Sequence, residues 1–284
     1  MALLHDLVYG SQLLFKTGEF SLGERLSVLN RIGKRTTLGD LYAKRVRTAP
    51  DGRKYFEAHG KKIYFEPDYP VHDQHRLMYG ATQVLMETYI FPTFFEGPII
   101  AQPGQIVLDL GANIGTTTML FSDLVGPHGR VIAFEPIMHE TLRRNLKENG
   151  ALNTFVHAAA VWDKAGSTVF KVSDNTLLSR VDAQQPPEGT TWTEQREVPL
   201  VRLDDLCEQQ RWPRVDLVKV DIEGAEENAL RGALNLIKRF KPKWSISSYH
   251  TDFTGEKQHP KLVALLTSLG YTVKQKGTSH IWAW

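Results

Sequence analysis

The stretch Val107-Leu108-Asp109-Leu110-Gly111-Ala112-Asn113-Ile114-Gly115 decides the fold of this chain. A short apolar run ends in an acid, breaks into a glycine-containing turn and leads into a segment of helical character. That is the first strand, loop and helix of a nucleotide-type α/β domain. Gly111 and Gly115 leave the backbone free to approach a ligand. A dinucleotide site wants G-x-G-x-x-G, whose second glycine admits a pyrophosphate. Here that position is Asn113 and the sixth is Thr116. A ligand with an adenosine but no pyrophosphate fits better, and S-adenosylmethionine is the common one. A second acid supports this. Arg130-Val131-Ile132-Ala133-Phe134-Glu135-Pro136 is a β-rich run ending in Glu135. Doubly wound nucleotide folds place an acid roughly 20 residues past the glycines, where it hydrogen-bonds the ribose hydroxyls. The plain alternative is that Asp109 and Glu135 simply end strands as solvated charges. The order strand, glycine turn, helix, second strand, acid favours the ligand reading.

The composition narrows the class. At 284 residues the chain can hold one large domain, or one domain with an appendage, and 42% apolar residues suffice for a sizeable core. A net charge of +2, from 34 Lys+Arg against 32 Asp+Glu, implies no broad basic surface and argues against a nucleic-acid partner. The single Cys207 excludes an internal disulfide and suggests a reducing compartment. No apolar run approaches the roughly 20 residues of a membrane span. Asp6 interrupts the apolar N-terminus and no small-residue cleavage site follows, so a cytoplasmic protein is expected.

Residues 1–100 read as an N-terminal cap and residues 101–284 as the main domain. The cap comprises a helical lead-in from Met1 to about Arg47, a hairpin over Arg53–Pro67 and a helix at Leu77–Phe91. The hairpin strands are expected at Lys54–Ala58 and Lys62–Glu66, around a His59-Gly60-Lys61 turn. From Gln105 onward strands alternate with amphipathic helices, the pattern of a mostly parallel sheet covered on both faces. Strands are predicted at Ile106–Leu110, Val131–Phe134, Thr154–His157, Leu217–Val220, Trp244–Ser248, Thr272–Lys276 and His280–Trp284. Helices are predicted at Gly115–Leu124, Met138–Glu148, Glu226–Arg239 and Lys257–Ser268. A long insertion, Asp163–Trp212, adds strands at Thr168–Val172 and Glu197–Leu203. Its polar loop at Gln184–Gly189 reads equally as a lid or as a surface excursion.

A second constellation is Val218-Lys219-Val220-Asp221-Ile222-Glu223-Gly224-Ala225-Glu226, three acids and a lysine at the carboxyl end of a β-rich run. Ligands of open α/β sheets bind outside the carboxyl ends of the strands, so it should face the same crevice as Gly111. Asp221 and Glu223 read as groups that orient a substrate hydroxyl or take its proton. Glu226 reads as an ordinary helix N-terminal charge, and the plain partner for Lys219 is Asp221. The fifth strand ends in Ser247-Ser248-Tyr249-His250. His250 can be a general base, a metal ligand beside Asp221, or a satisfied structural residue. His72, His75, His157 and His259 show no metal-ligand spacing, and Trp282 and Trp284 read as core.

Together, Asp109 to Gly115, Phe134-Glu135-Pro136, Leu203-Asp204-Asp205-Leu206 and Lys219 to Glu226 resemble the FkbM family of S-adenosylmethionine-dependent methyltransferases. The similarity runs from about Glu87 to the C-terminus, and no specific motif covers residues before about Arg76. The resemblance implies a class I methyltransferase fold, Rossmann-like, with a seven-stranded sheet whose last strand is antiparallel. It also implies O-methylation of hydroxyls on sugars, polyketides or related metabolites. Family members often end the fifth strand in Glu-x-His, whereas Ser248-Tyr249-His250 keeps the histidine and lacks the acid.

On this reading Asp109, Gly111, Asn113 and Gly115 hold the methionine portion of S-adenosylmethionine and Glu135 holds the ribose. Asp221 and His250 deprotonate or orient the acceptor, a small molecule or glycan, with Lys219 and Glu223 tuning the site. A divalent metal is conceivable, but only two ligands are evident and no third, so metal-free chemistry is expected. Gly111→Val is expected to abolish cofactor binding while sparing the fold. Two rivals remain in the sequence. An NAD-dependent oxidoreductase is disfavoured by the missing pyrophosphate glycine, and a non-catalytic S-adenosylmethionine-binding protein by the intact loop and acids.

Overall fold

The computed structural model describes residues 46–58, 60–65, 99–173, 180–181 and 192–284. The lead-in up to residue 45, the predicted helix at Leu77–Phe91 and the Gln184–Gly189 loop lie outside them. The chain divides into two compact units, Met1–Thr93 and Phe94–Trp284.

In the first unit β1 (Arg47–Thr48), β2 (Lys54–Ala58) and β3 (Lys61–Phe65) form a three-stranded antiparallel sheet in that order. Phe56 faces Ile63 across the ladder and both are fully buried, as period-two alternation requires. The turn is tighter than the predicted one, because Lys61 already pairs with Ala58. Arg47, expected to end a helix, lies in strand β1, paired with Tyr55.

The second unit opens with β4 (Ile106–Leu110), α1 (Thr116–Val125), β5 (Arg130–Phe134), α2 (His139–Glu148) and β6 (Thr154–His157). β7 (Ala160–Val161) comes just before the insertion, which carries β8 (Gly166–Ser173), β9 (Arg180–Val181) and β10 (Trp192–Val201). Then come α3 (Leu203–Gln209), β11 (Leu217–Val220), α4 (Glu226–Arg231) and α5 (Leu234–Phe240). The chain closes with β12 (Lys243–Ser247), α6 (Gln258–Ser268), β13 (Val273–Lys276) and β14 (His280–Ala283). The main sheet has the order β13-β14-β12-β11-β4-β5-β6. Its pairings from β12 through β6 are parallel, and β14 runs antiparallel to both neighbours. Strands β4 and β11 are buried at every position, as a sheet covered on both faces demands. This is the seven-stranded class I methyltransferase arrangement expected from the sequence. The insertion strands join β7 in a separate sheet of order β7-β10-β8-β9.

Three departures have physical causes. The helix predicted over Glu226–Arg239 breaks into α4 and α5 at Gly232. A Cβ there would lie 2.2 Å from the Trp162 carbonyl oxygen, and the Asp204 carboxylate accepts hydrogen bonds from the Asn235 and Leu236 amides, starting α5 afresh. The strand predicted to run to Leu203 stops at Val201, because Leu203 begins α3 with Asp204 and Asp205 in its first turn. Trp282 is core as expected, but Trp284 is 39% exposed at the chain end.

Candidate active site

Strands β4 and β11 are neighbours, so their carboxyl-end loops meet. The register sets Lys219 opposite Asp109. Lys219 Nζ lies 3.1 Å from Asp109 Oδ1 and donates to the carbonyls of Gly111 (2.7 Å) and Leu110 (3.3 Å). Thr118 Oγ1 donates to Asp109 Oδ2 at 2.6 Å. Asp109 is fully buried, and its carboxylate is held by Lys219 and Thr118 beneath the loop. The expected Lys219–Asp221 pair is therefore replaced by Lys219–Asp109, because cross-strand neighbours lie closer than the two ends of one strand turn.

Gly111 adopts φ 76°, and an added Cβ would stand 1.8 Å from the Asp221 carbonyl oxygen. This glycine serves the meeting of the two loops. The expectation that Gly111→Val would spare the fold is corrected, since the obstacle is backbone and cannot swing away. Gly115, at φ 95°, starts α1, and a Cβ there would press on the Leu142 side chain. Asn113 holds φ 50°, a left-handed conformation that asparagine tolerates, and its Oδ1 accepts from the Ile114 amide at 2.7 Å. Its own amide donates to Glu135 Oε2 at 2.9 Å, while Glu135 Oε1 accepts from the Ile137 and Met138 amides at 2.8 and 2.9 Å. Glu135 thus latches the glycine loop to the carboxyl end of β5. Asn145, which the sequence reading passed over, donates from α2 to the Ile114 carbonyl at 2.7 Å and fixes the loop from below.

The third group of residues gathers where β11 and β12 end. Glu223 sits at φ 54°, an uncommon angle for a residue with a side chain, followed by Gly224 at φ 110°. A Cβ on Gly224 would lie 2.5 Å from the Thr251 carbonyl oxygen, so this glycine lets the β11 turn touch the segment after β12. His250 is thereby brought to the acids. Its Nε2 lies 3.4 Å from Glu223 Oε1 and 3.7 Å from Asp221 Oδ1. Its Nδ1 lies 2.8 Å from Glu226 Oε1.

Glu226 is the residue the sequence reading misjudged. It is fully buried and also accepts from Gln258 Nε2 at 2.6 Å and from the Ile222 amide at 3.2 Å. A signal existed. Glu226 heads an i, i+3, i+4, i+7 stripe with Ala229, Leu230 and Ala233, all fully buried, and an acid on an apolar stripe needs a partner. The acid absent from the end of β12 is supplied by Glu226 and Glu223 from the β11 side.

Burial opposes the charge on His250, but the Glu223 and Glu226 carboxylates outweigh it and push the imidazole up to about 10. Asp221 is driven above the usual carboxylate range, chiefly by desolvation, with the Glu223 and Glu226 charges adding to it and Lys219 and His250 opposing. Its side chain is hemmed in by these groups yet keeps 27% of its surface accessible. Asp221 Oδ1 and His250 Nε2 are buried atoms with no hydrogen-bond partner among the described residues. Asp221, Glu223 and His250 each offer a ligand atom, all within 4.8 Å of one another. Glu223 is the third potential ligand that the sequence did not reveal. His259, by contrast, is held between Ser248 Oγ and Gln275 Oε1 at 2.8 Å each, a structural role.

The family model described as the methyltransferase FkbM domain matches residues 109–273, more than half of the chain. The 31-O-demethyl-FK506 methyltransferase FkbM of Streptomyces tacrolimicus is 32% identical over 162 residues, 46% of this chain and 60% of that protein. Methyltransferase 1 of Beauveria bassiana is 28% identical over 145 residues, 45% of this chain and 58% of its own length. The chain thus spans less than two thirds of these two relatives. Among solved structures, methyltransferase FkbM from Methylobacillus flagellatus aligns over 91% of this chain and 60% of its own, at 18% identity and a TM-score of 0.46. With its glycine loop, its second-strand acid and its Lys219–Glu226 turn all inside the matched span, this chain belongs to the FkbM family of methyltransferases.

Proposed function

We propose that this protein methylates a hydroxyl group of a small-molecule or glycan acceptor with S-adenosylmethionine as donor. The observation that carries the reading is the side-by-side placement of two arrangements at the carboxyl edge of adjacent strands. One is the Glu135-latched Gly111–Gly115 loop. The other is the Asp221–Glu223–His250 cluster, in which Asp221 Oδ1 and His250 Nε2 have no hydrogen-bond partner among the described residues. The donor set suits the cofactor, because Glu135 Oε2 accepts only the Asn113 amide among the described residues and keeps acceptor capacity for a ribose hydroxyl. The left-handed backbone at Asn113 and Gly115 shapes the loop for the methionine portion. S-adenosylmethionine, when bound, supplies a methyl group already activated on a sulfonium.

The protein's own work is then alignment and proton removal. Glu135 and the Gly111–Gly115 loop would hold the donor so that its methyl carbon faced the acceptor oxygen's lone pair, the carbon–sulfur electron pair leaving with the thioether. The hydroxyl proton passes to the Asp221 carboxylate, whose hold on a proton is raised by burial. Glu226 fixes the His250 ring, and Lys219 with Asp109 anchors the loop. The insertion strands supply acceptor contacts on this reading, since edge loops carry specificity in such folds. The O-methylating character named for the Streptomyces relative is consistent with a hydroxyl acceptor.

Calorimetry with S-adenosylmethionine on the wild-type chain and on Glu135→Ala tests the cofactor half. The variant is expected to bind about 5- to 150-fold more weakly, the equivalent of about 1–3 kcal/mol. Equal affinity would remove Glu135 from the site. Mass spectrometry of an acceptor panel tests the rest, with a methyl gain on hydroxyl compounds and none on their deoxy analogues. Transfer to amines alone would refute the choice of oxygen.

A further inference from the structure

We infer that Asp221, Glu223 and His250 form a binding site for one divalent cation, of the Mn²⁺ or Mg²⁺ kind, against which the acceptor hydroxyl is positioned. The inference deepens the methyl-transfer reading and rests on it for the role of the ion, though not for the binding itself.

His250 sits at the centre of the site. Its Nδ1 is committed to Glu226, an acid fully buried and pinned in turn by Gln258 and the Ile222 amide. A carboxylate only accepts, so Nδ1 carries a hydrogen and donates it, and a cation would displace the second hydrogen that the acids keep on Nε2 in its absence. The second nitrogen, Nε2, faces away from Glu226 towards Asp221 and Glu223. His250 is 3% exposed, and this atom has no hydrogen-bond partner among the described residues. A carboxylate holding one nitrogen of an imidazole so that the other is presented outward is the arrangement that orients metal-ligating histidines.

The spacing fits an ion better than a proton. Charge-assisted N–H···O contacts close to about 2.7–2.9 Å. Here His250 Nε2 stands 3.4 Å from Glu223 Oε1 and 3.7 Å from Asp221 Oδ1. Ligands about 2.1 Å from an octahedral ion stand about 3 Å apart when adjacent and about 4 Å apart when opposite. The observed separations fall in that span. The charge agrees too, since Asp221, Glu223 and Glu226 converge on a single imidazole. Two carboxylate oxygens and one imidazole nitrogen, with positions left open, suit Mn²⁺ or Mg²⁺ better than a thiolate-seeking metal. The backbone is shaped for it, as Glu223 holds a left-handed conformation and Gly224 admits the Thr251 carbonyl. In an open coordination position the acceptor oxygen would lose its proton more readily, to the Asp221 oxygen not facing the ion, and would stay aligned.

Mn²⁺ binding to the full chain, stripped of metal and followed by electron paramagnetic resonance, tests this directly. The expected result is one Mn²⁺ per chain, with affinity lowered at least about tenfold in Asp221→Asn and in Glu223→Gln, and unchanged in the surface variant Glu256→Gln. Spin-echo modulation should also show nitrogen coupling from an imidazole in the wild-type chain, a readout that needs no variant to fold. No bound Mn²⁺, equal binding in the two site variants, or no nitrogen coupling would each overturn the inference. S-adenosylmethionine calorimetry on the same samples separates the two readings. Cofactor bound without Mn²⁺ sinks only the cation site, whereas no cofactor binding sinks the methyl-transfer reading whatever Mn²⁺ does.

Discussion

Glu226→Gln changes one oxygen to an amide and keeps the shape, so its cost can be worked from the hydrogen bonds alone. Every group around this side chain is a donor: His250 Nδ1 at 2.8 Å, Gln258 Nε2 at 2.6 Å, the Ile222 amide at 3.2 Å and the Gly224 amide at 3.4 Å. A carboxylate satisfies them with two acceptor oxygens. An amide must turn its NH₂ towards at least one of them, setting donor against donor in a site sealed from water. A buried polar group left unsatisfied costs about 1–3 kcal/mol, so stability should fall by that amount. For a domain of this size that lowers the thermal midpoint by roughly 2–12 °C. Released from Glu226, the His250 ring is free to carry its hydrogen on either nitrogen, and turnover should fall about 10- to 100-fold, the loss typical of an orienting partner. The affinity for S-adenosylmethionine should hold, because Glu135 and the glycine loop are untouched. The assay is thermal denaturation beside initial rates at saturating donor. A midpoint within a degree of wild type together with unchanged turnover would refute the claim that Glu226 positions His250.

Lys219→Met removes the cation from a buried pair and leaves the Asp109 carboxylate with Thr118 alone, which should cost about 3–5 kcal/mol in urea unfolding. Adding Asp109→Asn should recover part of the loss, and a double variant no more stable than the single one would count against the pairing. Gly111→Ala should lower stability by about 2–6 kcal/mol, combining left-handed strain with the clash against the Asp221 carbonyl. A stable variant that merely lost cofactor affinity would restore the simpler, ligand-only view of this glycine. His280 is buried against Ser245, and burial, with the Lys276 and Lys219 charges, lowers its pKa to about 3. The unfolded chain therefore binds this proton first. The stabilisation is complete above about pH 6.5 and is lost progressively as pH falls towards 3, by about 2 kcal/mol at pH 5. His280→Gln should flatten that part of the stability profile, and parallel profiles would exclude His280 as the cause.

The main sheet was legible in the chain because its strands are mostly apolar runs followed by turns rich in acids and glycines, as in Ile106–Leu110 and Leu217–Val220, each with one buried charge, whose bounds the structure reproduces. Apolar periodicity and turn chemistry are local properties, and local properties survive in a sequence. They also sufficed to single out Glu135, Asp221, Glu223 and His250, each at or just past the carboxyl end of a strand. What a local pattern cannot carry is partnership across the sheet. Lys219 pairs with Asp109 because β11 lies beside β4 in register. Gly111 and Gly224 are required by the carbonyls of Asp221 and Thr251, which only the folded chain brings near. Glu226 looked like a helix-end charge, since its burial depends on α6 delivering Gln258 and on β12 delivering His250. The sequence by itself determined the class of fold, the edge where the candidate site gathers and the residue types found there. Only the tertiary structure decided which acid holds the histidine and which face it, because that depends on distances between segments far apart in the chain.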